Sequence, residues 1–292
     1  MLNVLVGVDG RNGGHDAVAL ARRLVDFPGR LTIVHVHEQT SGILVHDFDA
    51  SARDQARWLL EGERAAVGPE ARSVSVAAPS VGAGLHRAAE QNAADLLVVG
   101  RCRHRFAGRV LLGDDTRACL DGAPCPVAVA PLGYAQGSAP IALIGVGYDA
   151  SPESDVALAM ARTLAAEGDA KIRALSVVPA LGAAYASPPT RYLNTRIDTL
   201  MDEARTRLSE LDGVQGLVVY GSPVEELTAF GEEVDLLLLG SRRHGPARQL
   251  MLGSTSAHLT LSARCPLLIL PRLATKPATR QASAAEQMKV AL

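Results

Sequence analysis

The sequence predicts an α/β fold with two tandem, doubly wound, Rossmann-like domains, each built around a five-stranded parallel sheet. Short apolar runs that fit buried strands alternate with segments of helical periodicity along the chain. The same motifs recur about 140 residues later, which indicates an internal duplication. Apolar residues make up 48% of the chain but aromatic residues only 3%, so the core must consist of small aliphatic side chains. Such a core is typical of parallel sheets covered by helices.

The duplication is clearest at the ends of the predicted strands. Asp9 in VGVDG corresponds to Asp149 in VGYDA at an offset of 140 residues. The same offset relates ADLLVVG (94–100) to VDLLLLG (234–240) and APCPVAVAP (123–131) to ARCPLLILP (263–271). These matches predict a first copy at residues 1–134 and a second copy at residues 141–273. The Gly-, Pro- and Ser-rich segment 132–140 is the predicted linker, and residues 274–292, without clear periodicity, form a predicted mobile tail.

The first copy can be divided into strands and helices in order. Residues 2–8, LNVLVGV, form an apolar run that predicts a buried strand. A helix follows, because Ala17, Leu20, Ala21 and Leu24 fall on one helical face. The later patterns predict strands at 31–37, 73–78, 96–100 and 126–130, and helices at 51–66, at 84–92 and from about Asp114.

The second copy repeats this order with a clearer start to its first helix. Ser151 can cap the free backbone amides there, and Pro152 suits the first helical position. Strands that alternate with helices are joined by right-handed crossovers into parallel sheets. Both copies are therefore expected to share one topology.

Composition excludes several functional classes. The net charge of −2 provides no general attraction to nucleic acid or to an anionic membrane, and few aromatic side chains are available to stack on bases. No apolar run is long enough to span a membrane, and the opening residues read as a strand rather than a signal peptide. The four cysteines form no CxxC pair, which favours a reducing, cytoplasmic location. Cys102, between arginines, is a candidate reactive thiol or an ordinary loop cysteine.

Enzyme and metal signatures are weak. The chain contains neither a G-x4-G-K-[ST] phosphate loop nor a G-x-S-x-G elbow, so no enzymatic activity is predicted. His35 and His37 share one face of a strand, but no cysteine or carboxylate follows at a recognised ligand spacing. We therefore predict no metal site.

A ligand site is expected at the carboxyl ends of the strands, where open parallel sheets bind small molecules. Two loops of each copy reach that edge. They are Asp9-Gly10-Arg11 and 100–113 in the first copy, and Asp149-Ala150-Ser151 and 240–256 in the second. A carboxylate there can accept hydrogen bonds from a ribose or an adenine amine, and a helix N-terminus can bind phosphate. The arginines of the first long loop, Arg101, Arg103, Arg105 and Arg109, would either contact an anion or form a solvated surface.

These motifs resemble the universal stress protein family in its tandem two-domain form. The resemblance rests on VGVDG, VGYDASPES, the two glycine-bounded loops and the PCPV ending, and it covers residues 1 to about 272. It implies an adenine nucleotide alpha hydrolase-like fold, a pseudo-twofold axis between the copies, and pairing of the last strands, 126–130 and 266–270. It also implies a nucleotide motif G-x2-G-x9-G-[ST] after the fourth strand.

Both copies depart from that motif. The second copy has Gly240, Arg243 in place of the second glycine, Gly253, Ser254 and then Thr255. The first copy has Gly100, Arg103 in place of the second glycine, Gly113, and Asp114 in place of the hydroxyl residue. Acids at a helix start satisfy the helix dipole themselves and repel phosphate, so the second copy is the better candidate site.

The sequence therefore leads to two hypotheses. In the first, the protein is a regulatory protein that binds ATP or another adenine nucleotide, mainly in the second copy. Asp149 would hold the sugar or base, and Gly240, Arg243, Gly253, Ser254 and Thr255 would surround the phosphates, with Asp9, Gly100 and Gly113 as weaker equivalents. In the alternative, the protein binds no nucleotide and acts as a protein-interaction module. Whether the tandem chain dimerises again stays open.

Overall fold

The structure is a computed structural model that describes most of both copies. The described residues are 3–24, 31–38, 45–68, 71–101, 103–106, 109–112, 114–137, 139–180, 191–241 and 253–271. The predicted tail at 274–292 lies outside this set, as do Cys102, Gly113 and Arg243.

Strands and helices alternate in both copies. The first copy contains β1 (Val4–Gly7), α1 (Asn12–Leu24), β2 (Leu31–Glu38), α2 (Val45–Val67), β3 (Arg72–Ala78), α3 (Val81–Gln91), β4 (Leu96–Gly100), β5 (Arg103–Phe106), β6 (Arg109–Leu112), α4 (Asp114–Leu120) and β7 (Val127–Ala130). The second contains β8 (Leu143–Gly147), α5 (Pro152–Gly168), β9 (Lys171–Pro179), α6 (Arg191–Ser209), β10 (Val214–Gly221), α7 (Pro223–Phe230), β11 (Leu236–Gly240), α8 (Ser254–Ser262) and β12 (Leu267–Leu270).

The two copies form one continuous ten-stranded sheet. Its order is β10-β9-β8-β11-β12-β7-β4-β1-β2-β3, so each copy has the same doubly wound order, with parallel pairing throughout. The predicted fold class and the shared topology are therefore confirmed. The expected pairing of the last strands is also confirmed, since β7 and β12 run antiparallel at the centre of the sheet.

The β7–β12 register places the pseudo-twofold axis at one residue pair. Ala128 lies opposite Leu268, its own equivalent at the 140-residue offset, with Leu267 opposite Val129 and Ile269 opposite Val127. A pairing in which equivalent residues face one another is the arrangement that a twofold axis produces. The last strand of each copy is thereby paired on both sides, which removes two apolar sheet edges.

The core consists of one shared layer and two separate layers. On one face of the sheet, a single apolar cluster runs through both copies, from Val6 and Leu20 to Val146 and Leu268. On the other face there are two clusters, one around Leu85 of the first copy, which also takes in Ile269, and one around Leu227 of the second. The four residues predicted for the inner face of α1 are all buried, as expected. Ser151 caps α5 by accepting a hydrogen bond from the Ser154 amide at 3.2 Å.

A small antiparallel hairpin, β5–β6, lies between β4 and α4 and was not predicted. Its register pairs Arg103 with Leu112 and Phe106 with Arg109. The segment read from the sequence as a glycine-bounded loop is therefore largely extended in the first copy. β6 lies next to α8, so the hairpin extends from the first copy toward the second.

The predicted linker is partly structured. Residues Tyr134–Gln136 form a 3₁₀ helix, and its neighbouring amides are held by Asp16 of α1. The Asp16 carboxylate is only 2% exposed and accepts hydrogen bonds from the Gly133 and Ala135 amides, each at 2.8 Å. The Arg23 guanidinium also lies 4.4 Å from the centre of the Tyr134 ring. Helix α1 therefore fixes the start of the connection between the copies.

We expect Asp16→Ala to destabilise the protein, because it removes two charge-assisted hydrogen bonds from a buried carboxylate. The expected loss is roughly 1.5–3 kcal/mol, measured by urea unfolding. Asp16→Asn should reduce the free energy of unfolding by about half as much, since the asparagine amide group offers only one acceptor oxygen. The control is Asp121→Ala, which removes a surface partner of Arg117 (3.6 Å) and should cost less than about 1 kcal/mol. Equal effects of Asp16→Ala and Asp121→Ala would contradict this account of the linker.

The buried cysteines give a prediction that depends on pH. Burial raises the pKa of the Cys125 and Cys265 thiols from 9.0 to about 12, so both stay protonated in the folded protein well above neutral pH. Because the folded state holds these protons more tightly than the unfolded state, their contribution to stability should be lost as the pH rises from about 9 toward 12. Iodoacetamide at about pH 8.5 should label neither thiol until urea is added, as read by peptide mass spectrometry. Rapid labelling of either one in the native protein would be inconsistent with the described burial.

Candidate functional site

Two crevices lie at equivalent places, at the carboxyl ends of the central strands of each copy. The first crevice is lined by residues that include Asp9, Val36, Leu85, Val99, Gly100 and Thr116. The second crevice is lined by their structural equivalents, Asp149, Val177, Leu227, Leu239, Gly240 and Ser256. The fold therefore places both crevices where parallel sheets bind ligands.

Both crevices share a tight turn after their first strand. Asp149 Oδ1 accepts hydrogen bonds from the Ser151 amide at 3.1 Å and the Ser151 hydroxyl at 2.5 Å. Asp9 Oδ1 accepts from the Arg11 amide at 3.0 Å in the same way. The residue that follows each aspartate has a left-handed backbone conformation, with φ of +59° at Ala150 and +71° at Gly10. The two carboxylates therefore fix the turns that lead into α1 and α5 as well as facing the crevices.

Gly100 and Gly240 are required by packing. A Cβ atom at Gly240 would lie 2.4 Å from the Glu153 carbonyl oxygen, and one at Gly100 would lie 1.9 Å from that of Gly13. In each copy the first turn of the following helix therefore rests directly on the end of the fourth strand. These glycines would be needed whether or not a ligand binds beside them.

The N-terminus of α8 opens onto the second crevice. Its N-cap is Gly253, which has no side chain to accept hydrogen bonds from the first amides of the helix. Among the described residues beyond its chain neighbours, the nearest contact of a Cβ at Gly253 would be the Ser256 hydroxyl at 3.6 Å, and its φ is −75°, so neither this packing nor the backbone conformation accounts for a glycine. Ser254 is exposed, Thr255 is half-buried, and the buried Ser256 donates its hydroxyl to the Gly253 carbonyl at 3.1 Å.

The two crevices differ in size. The second has a volume of about 300 Å³ and the first about 80 Å³. In the first copy α3 approaches β2 closely, because a Cβ at Gly84 would lie only 2.5 Å from Val36. The equivalent residue of α7 is Glu226, whose side chain packs beside Gly221 at the end of β10. Only the second crevice reaches the size of typical small-molecule sites.

The crevices also differ in charge. At the start of α4, Asp115 lines the first crevice and is exposed, while Thr116 is buried and its hydroxyl lies 3.4 Å from the Gly100 carbonyl. The neutral Thr255 stands in the place of Asp115 in the second copy. A phosphate would therefore meet a carboxylate in the first crevice and hydroxyl groups in the second.

Arg101 neither faces a crevice as an anion contact would nor lies on the solvated surface. Its side chain is 4% exposed and crosses from the first copy to the C-terminal end of α8. There Nη1 donates to the Leu261 carbonyl at 3.1 Å and Nη2 to the Ala263 carbonyl. Both interpretations, an anion contact and a solvated surface, are therefore wrong for this residue. Its equivalent is Ser241, and that difference between the copies is the signal that sequence comparison could have used.

The predicted site residues divide into three groups. Asp149, Gly240, Gly253, Ser254 and Thr255 all line the second crevice. Asp9 and Gly100 line the first. Arg243 and Gly113 lie outside the described residues. Sequence reasoning missed the apolar walls formed by Leu175, Val177, Leu227 and Leu239, because their strands and helix read only as core.

The described residues contain neither a candidate membrane span nor a candidate metal site. None of the described helices is both long and apolar enough to cross a membrane. Within the same residues, no group of three or more His, Cys, Asp or Glu side chains is placed to hold a metal ion.

Comparison with known proteins gives consistent results for the whole chain. A universal stress protein of Mycobacterium tuberculosis is 26% identical over 294 aligned residues, covering 93% of this chain and 99% of that protein. A universal stress protein of Thermus aquaticus is 29% identical over 130 residues, covering 42% of this chain and 94% of that shorter protein. The crystal structure of an Archaeoglobus fulgidus universal stress protein has a TM-score of 0.66 and 16% identity, covering 93% of this chain and 99% of that one.

The family comparison matches the duplication found in the sequence. The sequence model of the universal stress protein family matches residues 1–131 and again residues 142–271. The two matches are separated by the linker and together take in both crevices. The chain therefore belongs to the universal stress protein family, as a tandem protein with two copies of the family's domain.

Proposed function

We propose that the protein binds an adenine nucleotide, with ATP as the first candidate, in the second crevice, and that this binding is regulatory. The observation that carries the proposal is the combination found there: a crevice of about 300 Å³ that has an apolar slot on one side and ends at a helix N-terminus without a capping side chain. An apolar slot suits a flat base, and free helix amides suit phosphate. The first crevice, smaller and acidic, is not part of the proposal.

Each part of the ligand has a matching part of the crevice. The base would lie between Val177 and Leu175 on one side and Leu227 on the other, all of which line the slot. The ribose hydroxyls would donate to Asp149. A carboxylate has about four acceptor positions, so Asp149 can bind a sugar while its Oδ1 holds Ser151. The phosphates would accept hydrogen bonds from the first amides of α8 and from the Ser254 and Thr255 hydroxyls.

The proposal is of binding without dedicated catalysis. Asp149 is the one acidic side chain among the described residues that line the second crevice, and its Oδ1 already fixes the turn into α5. A general base must reach the proton that it removes while remaining free to accept it. A role as a conformational regulator in the cytoplasm agrees better with this arrangement than hydrolysis does.

Binding can be tested directly on the full chain. Mass spectrometry of small molecules released from freshly purified protein should find ATP, ADP or AMP, and calorimetry should measure saturable binding of ATP by protein freed of ligand. If neither experiment detects an adenine nucleotide, the proposal is wrong, and the nucleotide-free interaction module becomes the working hypothesis.

We expect the double substitution Ser254→Asp and Thr255→Asp to weaken ATP binding by about tenfold or more, or ~1.4 kcal/mol, in calorimetry. It reproduces the acidic start of α4, so two carboxylates would repel the phosphates. Acids in a first helical turn stabilise the helix, so lost binding would not reflect unfolding. Adenosine, which has no phosphate, should bind nearly as before.

The control for this experiment is Thr199→Asp, on the exposed surface of α6. It adds negative charge away from the crevice and should leave the affinity for ATP unchanged. If the double variant binds ATP as tightly as the original protein does, the phosphates do not lie at α8.

A further inference from the structure

Arg101 joins the two copies through a rigid chain of contacts. Its backbone amide donates to the Ala130 carbonyl at 3.0 Å, which fixes its Cα to β7 at the end of the first copy's sheet. The residue before it, Gly100, packs against α1 and lines the first crevice. The base of the Arg101 side chain is therefore held by the first copy.

The guanidinium end is held by the second copy. Its two hydrogen bonds reach carbonyls of Leu261 and Ala263, in the last turn and at the C-cap of α8. These carbonyls have no partner within the helix, and a cation there is favoured by the helix dipole. The planar guanidinium holds both carbonyls at once, which fixes an orientation as well as a position.

The opposite end of the same helix forms the second crevice. α8 spans nine residues, Ser254–Ser262, or roughly 13 Å at the rise of an α-helix. Such a short helix moves as one body, so a tilt at its C-terminus displaces its first amides. Ser256, Leu259 and Thr260 bury one face of the helix, which also packs against α7, and Arg101 adds a contact at its C-terminal end.

The second copy has no arginine equivalent to Arg101, so this contact runs only from the first copy to the second. The position equivalent to Arg101 in the second copy is Ser241, whose side chain is too short to reach across to α4. The copy with the smaller, acidic crevice therefore supplies the arginine, and the copy with the larger crevice receives it.

We propose that Arg101 of the first copy is a positioning residue for the phosphate end of the second crevice. This inference rests on the proposed nucleotide binding, which it extends to a dependence of one copy's site on the other copy. Arg101 acts through α8 and does not touch the ligand. Its removal should therefore affect the part of a ligand that meets α8 and leave the part that lies in the apolar slot.

The test compares two ligands and two substitutions in the full-length protein. We expect Arg101→Ala to weaken ATP binding about tenfold in calorimetry while adenosine affinity changes less than about twofold. Arg101→Lys, which keeps the charge but cannot bind both carbonyls through a planar group, should restore part of the ATP affinity. It also serves as the test variant if Arg101→Ala fails to fold.

The matched control is Arg173→Ala. Arg173 is also hydrogen-bonded through its guanidinium, to Glu233 and Gln215, each at 3.0 Å, but it is more exposed than Arg101 and lies on β9 away from α8. Its removal should leave the affinities for ATP and adenosine unchanged. An equal loss of both ligands in Arg101→Ala, or no loss of either, would overturn the inference.

Hydrogen exchange of the ligand-free protein separates this inference from the proposed function. In Arg101→Ala, amides of α8 should exchange faster, while those of α5 keep their original rates. If the original protein binds neither ATP nor adenosine, the proposed function fails, and the exchange experiment alone decides the role of Arg101. Faster exchange confined to α8 would then support its positioning role, and unchanged exchange in α8 would overturn it.

Discussion

The antiparallel pairing of β7 with β12 is the constraint on which the rest of the molecule depends. It joins two five-stranded sheets into one and buries the edge strand of each. It also brings the end of β4 close enough to α8 for Arg101 to cross between the copies. Without that junction, each copy would expose an apolar edge and the second crevice would lose the contact at the far end of its helix. The pairing thus holds the two copies together and allows Arg101 of the first copy to contact α8 of the second.

Around this joint the copies have kept their framework and changed their chemistry. The Asp-centred turns and the glycines at 100 and 240 persist in both, because a helix start must lie against a strand end. Residues that line the crevices without being required by packing have diverged. The first copy has a close α3–β2 contact at Gly84 and an acid at the start of α4. This pattern is expected when packing is maintained in both copies and binding in one.

The topology, the duplicated crevices and the inner face of α1 could be predicted from the sequence, because local periodicity or the internal repeat indicates each of them. The β5–β6 hairpin could not be predicted, since a run of arginines between glycines fits a loop as well as a strand. Arg101 was misjudged for a related reason: its partners are backbone carbonyls about 160 residues away, which no local pattern reveals. The apolar walls of the second crevice read as ordinary core, because a side chain that lines a pocket differs from a core residue only in three dimensions.

The residue pair at the pseudo-twofold axis bears on how the chain chooses its partner. Ala128 and Leu268 are both buried there, one small and one large. Two first copies meeting through β7 would set alanine against alanine and leave a void, whereas two second copies would crowd leucine against leucine. The unequal pair is best satisfied when a first copy meets a second copy. Fusion of the copies has therefore allowed an unequal pair that a symmetric dimer of identical subunits could not adopt, and this pair favours β7 against β12 over the pairing of two like strands.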